Sequence, residues 1–318
     1  MGEVELSVVI PVYNEEENVN QLCNKLANVL SLLCKTYEIV FIDDGSTDNT
    51  FSLLKEFHRK DSCIKIIKFR RNFGQTAALS AGFDYAKGDV IITMDGDLQN
   101  DPEDIPLLLK KIKEGYDIVS GWRVNRKDPF FTKKLPSKFS NWLASKLTGV
   151  KLHDFGCMLK AYRREVVGNI NLYGEMHRYI PALASWMGIS IAEVKVKHHA
   201  RKYGETKYGV FRLIRGFLDL ITVKFLLSYS TRPLQLFGIP GIISFLIGFF
   251  IGAYLTIERL VFSMGISNRP LILLAVLLLF LGVQFITMGL LGEIVVRTYY
   301  EVQNKPIYVV KEVIDYKW

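Results

Sequence analysis

Val90-Ile91-Ile92-Thr93-Met94-Asp95-Gly96-Asp97-Leu98-Gln99 joins a short apolar, β-branched run to two carboxylates and an amide oxygen. The run predicts a buried strand, and the polar side chains fall where that strand ends. Hard oxygen ligands of this kind suit Mg²⁺ or Mn²⁺ holding a diphosphate. Acidic pairs at strand ends also serve as helix caps, so the fragment needs its surroundings to decide.

Outward from it the same arrangement recurs. Residues 6–10 predict a strand stopped by Pro11, and 15–33 a helix with Val19, Leu22, Leu26, Val29, Leu30 and Leu33 at helical spacing. A second strand over 38–42 leads to DDGSTDNT and a helix through His58, a third over 64–67 leads to RNFGQ and a helix through Ala86, and 118–120 predicts a fifth strand. Such alternation predicts an α/β fold with a doubly wound, mostly parallel sheet and ligands at the carboxyl ends of its strands. PVYNEEEN, DDGSTDNT, RNFGQ and DGDLQ all fall at those ends. Within DDGSTD, Asp43, Asp44 and Asp48 resemble further metal ligands, but the run also makes a turn and caps the following helix. Asp44 is also placed to accept the N3 proton of a uracil or the corresponding donors of a guanine.

Composition changes near Ser230. Residues 233–257 and 270–292 contain no charged residue, and at about 1.5 Å per residue each is long enough for a hydrocarbon core of about 30 Å. Arg212, Arg215, Lys224 and Arg232 precede the first segment and Arg297 and Lys305 follow the second, whereas Arg259 and Arg269 lie between them. The positive-inside rule then predicts a multi-pass protein of the cell membrane with its large domain and C-terminus in the cytoplasm. Gly238, Gly241, Gly248 and Gly252 fit close helix packing in the first span. Segments 133–147 and 208–229 read as basic amphipathic helices, either of which fits an ordinary core-facing helix; the second, directly before a span, is read as interfacial. The predicted organisation is a catalytic domain over 1–207, a juxtamembrane segment over 208–232, two spans within 233–292, and a tail over 293–318 with a short strand at 305–310. That strand is expected to return to the large domain or to pair with a second copy in a homo-oligomer.

The net charge of +8 favours anionic headgroups or a phosphorylated substrate. No basic helix with interleaved stacking aromatics appears, so nucleic acid is not an expected partner. Cys23, Cys34, Cys63 and Cys157 lack metal-ligand spacing and read as reduced packing residues. The acidic start, followed by only a few apolar residues, predicts no signal peptide. Adjacent His198 and His199 would point to opposite faces of a strand and are read as structural.

PVYNEEEN, IDDGSTDNT, RNFGQTAAL, DGDLQNDPE and RKYGETKYG, in this order and followed by two apolar segments, resemble the polyprenyl-phosphate glycosyltransferases of glycosyltransferase family 2. HDFGCMLKAYRREV with HHARKYGETKY is most similar to the aminoarabinose-transferring branch. The resemblance implies a GT-A type domain, a nucleotide-sugar donor, a polyprenyl phosphate acceptor, a divalent cation and a bilayer as partner. It implies that Pro11, Tyr13 and Glu15 form a nucleotide-contacting loop, that Asp44 recognises the base, and that Asp95 is the donor-site carboxylate. By the same resemblance Asp97 and Gln99 ligate the metal with Asp95 nearby, and Arg123 and Arg201 act as catalytic arginines against the acceptor phosphate and donor pyrophosphate. Arg126, Lys133 and Lys134 are further acceptor-phosphate candidates from the basic run in which they lie.

Arginine's planar, permanently charged fork matches phosphate oxygens. A lipid monophosphate is largely a dianion at neutral pH, so no general base is needed, and Asp154 is expected to position rather than to deprotonate. A UDP-sugar is favoured over GDP-mannose on the resemblance. Two rivals stand beside this reading. A processive polysaccharide synthase is disfavoured by the lack of a QxxRW run and by having only two spans. A non-catalytic nucleotide-sugar-binding membrane scaffold would have no need to keep both DGDLQ and Arg201.

Overall fold

A computed structural model of the chain describes residues 4–33, 35–124, 135–170, 172, 176–200, 233–262, 270–302 and 306–314. It comprises two compact units, Met1–Val223 with Pro306–Trp318 and Lys224–Lys305.

In the first unit β1 (Leu6–Val12), α1 (Glu16–Ser31), β2 (Tyr37–Asp43), α2 (Thr50–Lys60), β3 (Ile64–Phe69), α3 (Gln75–Tyr85) and β4 (Val90–Thr93) alternate along the chain. They are followed by α4 (Ile105–Lys113), β5 (Ile118–Arg123), α5 (Leu135–Thr148), β6 (Lys160–Arg163), α6 (Arg164–Val167), α7 (Ile180–Ala184) and β7 (Ile191–Val196). A last strand, β8 (Val310–Ile314), joins the same sheet, whose order is β7-β5-β6-β4-β1-β2-β3-β8. β1 pairs parallel with β2 and β4, β2 with β3, and β5 with β7. β6 runs antiparallel between β4 and β5, and β8 antiparallel to β3.

Helices cover both faces of the central strands, which is why those strands read as continuous apolar runs rather than alternating ones. Val8, Val9 and Ile10 of β1 are all fully buried. On one face α1 contributes Val19, Leu22, Cys23, Leu26 and Leu30 to the core, joined by Leu108, Leu109 and Ile112 of α4. At about 25 cal/mol per Å² of apolar surface removed from water, this core is the main favourable term in holding the sheet together.

Three details differ from the sequence expectation. Pro11 does not stop β1, which pairs with β2 through Val12. β4 accompanies β1 only as far as Val9, so the amide hydrogen that proline lacks faces no neighbouring strand. β6 and β7 were not expected as strands. The C-terminal strand begins at Val310 rather than at 305: Tyr308 instead stacks on Phe69 at 5.1 Å between ring centroids and donates its hydroxyl to Asp84 at 2.8 Å. The ladder then starts at Val310 opposite Phe69, in the chain's own sheet.

The second unit is a pair of long helices, α8 (Pro233–Phe262) and α9 (Pro270–Val302). Both are long and apolar enough to cross a membrane, over Phe237–Val261 with mean hydropathy 1.9 and Pro270–Gly292 with mean hydropathy 2.7. Phe250, Leu273 and Phe280 are each more than 60% exposed, whereas a soluble core helix would bury such side chains. The two helices touch through small residues: a Cβ on Gly241 would lie 2.9 Å from the Gly282 carbonyl oxygen, and one on Gly248 would lie 2.8 Å from that of Ala275. Gly252, also expected at a packing face, has open space around it.

Candidate active site

The carboxyl ends of β1, β2, β4 and β5 and the amino end of β6 meet at one rim of the sheet. Register sets the neighbours: Thr93, the last residue of β4, lies opposite Lys160, the first of β6, which in turn lies opposite Ser120 of β5. Chain leaving β4 therefore enters the Asp95–Gln99 turn beside β6, and chain leaving β5 brings up Arg123.

The turn is tightly constrained. Gln75 donates from Nε2 to Asp95 Oδ1 at 2.7 Å, the Asp95 amide donates to Asn100 Oδ1 at 3.2 Å, and the Gln99 amide donates to Asp97 Oδ1 at 3.1 Å. Between the predicted metal ligands, Leu98 adopts φ 62°, a left-handed conformation that disfavours a branched side chain. Its side chain is buried, so core packing holds the strained backbone that presents Asp97 and Gln99. Burial first, and the Asp97 charge second, raise the Asp95 carboxyl well above the ordinary carboxylate range, with Arg123 and Lys160 acting the other way. Two acidic groups held against their own repulsion, with a glutamine two residues after the second, fit a hard divalent cation. Among the described residues no group of three His, Cys, Asp or Glu side chains converges as a self-sufficient metal site. A cation here would complete its shell with substrate or water oxygens.

Arg123 is engaged with a protein carboxylate. Its Nε donates to Asp154 Oδ2 at 2.7 Å and its Nη2 to Asp154 Oδ1 at 2.9 Å, a bidentate pair that is nearly buried on both sides. Gly156 makes room for it, since a Cβ there would stand 3.1 Å from Arg123 Nη2. Below the loop, Glu193 of β7 accepts the amides of His153 and Asp154 at 2.9 and 3.1 Å and bonds His153 Nδ1 at 2.7 Å. The His153 ring stacks on Trp122 at 4.2 Å. Lys160, fully buried, donates its ammonium to the carbonyl oxygens of Phe155 and Cys157.

On the other side of the rim, Asp44 bridges two loops. Its Oδ1 accepts the Phe73 amide at 2.7 Å and its Oδ2 the Gly74 amide at 2.9 Å, while burial raises its carboxyl and those two bonds oppose the rise. Asp48 accepts the Thr50 amide at 3.0 Å and the Glu16 amide at 3.2 Å, tying together the starts of α2 and α1. Asp43 accepts the Ser46 amide at 2.8 Å. Pro11 lies one residue before the end of β1, Glu15 accepts Asn18 Nδ2 at 2.6 Å, and the Asn14 amide donates to Ser46 Oγ at 3.0 Å, so the loop holding Tyr13 is fastened to the loop after β2.

The structure thus gathers Pro11, Tyr13, Glu15, Asp44, Asp95, Asp97, Gln99 and Arg123 along one rim. Arg126, Lys133, Lys134, Arg201 and the 208–232 segment lie outside the described residues. His199 bonds Asp101 Oδ2 through Nε2 at 2.9 Å, and its amide donates to the Gln99 carbonyl at 3.0 Å. Gln75, Asn100, Lys160 and Glu193 were not singled out from sequence. Gln75 sits in the RNFGQ strand-end motif, and Lys160 interrupts the apolar CML-AY run; those were the available signals.

Residues 7–170 match the model of the glycosyl transferase family 2. This chain belongs to glycosyl transferase family 2. It is 42% identical over 316 residues to a dodecaprenyl-phosphate galacturonate synthase of Rhizobium johnstonii, covering 98% of this chain and 94% of that protein. It is 40% identical over 314 residues to an undecaprenyl-phosphate 4-deoxy-4-formamido-L-arabinose transferase of Proteus mirabilis, with the same coverage of 98% and 94%. The fold resembles glucosyl-3-phosphoglycerate synthase from Mycobacterium tuberculosis, solved with Mn²⁺ and UDP-glucose, at TM-score 0.54 and 19% identity over 72% of this chain and 82% of that one. The family 2 domain is therefore a GT-A type catalytic fold, and the two apolar helices follow it in the same chain.

Proposed function

We propose that this family 2 enzyme transfers a sugar from a nucleotide diphosphate, a UDP-sugar by preference, to the phosphate of a polyprenol, inverting the anomeric centre and releasing nucleoside diphosphate. The observation that carries the reading is that two transferases named for polyprenyl phosphate acceptors match 98% of the chain, the apolar helices included.

The rim accounts for the steps. The acceptor phosphate arrives as a dianion and attacks the anomeric carbon in line, so a single displacement inverts it and no side chain has to remove a proton. With both Asp154 oxygens bonded to Arg123, this carboxylate acts as an orienter of the arginine. A divalent cation held by Asp95, Asp97 and Gln99 would supply Lewis-acid neutralisation of the leaving diphosphate. Asp44, Pro11, Tyr13 and Glu15 form the nucleotide end of the site. Arg123 and Arg201, with Arg126, Lys133 and Lys134, receive the phosphates of acceptor and donor.

Chain continuity supports a membrane placement. Residues through Val223 and the β8 strand belong to one unit, which supports an even number of crossings between them. The basic residues flanking the pair favour the cytoplasmic side for that unit, as a multi-pass protein of the cell membrane. A homo-oligomer built through the helix pair is compatible with this arrangement.

The test is a screen of the purified full chain with UDP-glucose, UDP-N-acetylglucosamine, GDP-mannose and UDP-4-formamido-arabinose against one polyprenyl phosphate, reading lipid-linked sugar. A product from one UDP-sugar supports the proposal. A product only from GDP-mannose would replace the donor, and donor binding without any product would make the chain a scaffold.

A further inference from the structure

Lys160 is a fully buried lysine whose two hydrogen-bond acceptors are main-chain carbonyls. Removing an ammonium from water is expensive, and carbonyl dipoles return only part of that energy, so this is an unusual residue for the interior of a sheet. The location explains its presence. It opens β6 beside the end of β4, and its ammonium holds the carbonyls of Phe155 and Cys157, the two residues flanking Gly156. Gly156 is where the loop makes room for the Arg123 guanidinium, and Asp154, one residue before Phe155, grips that guanidinium with both oxygens.

We infer that Lys160 is a positioning residue for the transfer step: its buried ammonium sets the shape of the 154–157 loop, and through that loop it aims the Asp154–Arg123 pair at the phosphate that Arg123 receives. The inference rests on the transferase reading and assigns Lys160 no contact with substrate. Asp95 and Asp154 are the carboxylates whose charge reaches it, and Arg123 is the cation it repels. A methionine would fill the space with no donor for the two carbonyls, and a glutamine, shorter and neutral, would offer them only weaker bonds. The loop would then relax, and Arg123 would lose its aim without leaving the site.

The experiment is a double-mutant cycle in the full chain. Lys160→Met and Lys160→Gln are made in the wild-type and Asp154→Asn backgrounds, and kcat, both KM values and donor affinity are measured. The expected result is a fall in kcat of about 10- to 100-fold for each Lys160 variant with donor affinity nearly unchanged, since a displacement of about 1 Å at a reacting centre has an effect of that size. In the Asp154→Asn background the further loss should shrink to less than about 3-fold, because both changes act on one pair. Equal losses in the two backgrounds overturn the inference. So does a loss of turnover and donor binding in step with the unfolded fraction in both Lys160 variants, which would make Lys160 a purely structural support. A wild-type protein without lipid-linked product would instead refute the transferase reading.

Discussion

Asp97 and Gln99 owe their presentation to Leu98, a buried leucine in a left-handed conformation, so the site draws on core packing to hold its geometry. Asp97→Asn should lower kcat by 100-fold or more, roughly the effect of removing one preorganised electrostatic partner, while the thermal transition stays put; a steady-state assay beside a melting curve checks both. Gly156→Ala should act on the Arg123–Asp154 pair: the added methyl meets Nη2 at 3.1 Å and Asp154 Oδ1 at 3.5 Å, so the KM for polyprenyl phosphate should rise while donor affinity holds. Lys160 adds a pH signature. Burial lowers its ammonium to about 8, below the ordinary lysine value. The folded state then binds fewer protons than the unfolded state between about 8 and 10.5, so over that window stability should rise with pH while turnover falls as the positioning charge is lost. The thiol of Cys157 beside it is pushed up to about 11 and stays neutral through most of that range. A pH–kcat profile whose alkaline limb persists in Lys160→Gln would contradict this. DGDLQ was legible because its chemistry is contiguous. The Asp154–Arg123 pair was not, because its partners lie 31 residues apart and pairing depends on which strands become neighbours.

Among the elements, β1 to β4 and their helices were readable because both faces of each strand are covered, leaving unbroken apolar runs. β6 was hidden for the opposite reason: it is four residues long, begins with a charged lysine and ends with a solvent-reaching arginine. β7 alternates weakly, with most of its side chains only partly buried. Pro11 misled because a proline in a strand is costly only where its missing N–H faces a partner, and register is not visible in sequence. The helix pair invites a direct test. Gly248→Leu would drive a side chain into the Ala275 carbonyl and the neighbouring Leu279 amide, an overpacking of about 1–3 kcal/mol that should separate α8 from α9. Gly252→Leu meets open space and should be tolerated; detergent melting curves of the two variants should differ accordingly.

At the level of the molecule, a catalytic sheet is interrupted by an apolar hairpin and then completed by a strand from beyond it. β8 bonds to β3 only if both flanks of the hairpin emerge on the same side. Reporter fusions at the N- and C-termini should therefore give the same signal in intact cells, a cytoplasmic one in the proposed orientation. Tyr308→Phe, which leaves the Asp84 carboxylate without its hydroxyl partner, should loosen that return strand and lower the melting temperature by a few degrees, as expected for about 1 kcal/mol in a domain of this size. In the proposed reaction, one rim unites a metal-dependent donor site with a lipid phosphate that needs no base to attack. Its most direct measurement is nucleoside diphosphate release by the full chain in the presence and absence of Mn²⁺ or Mg²⁺ and of polyprenyl phosphate. Release that requires both the cation and the lipid, and is lost in Asp97→Asn, is the predicted result; release unaffected by omitting either one would contradict it.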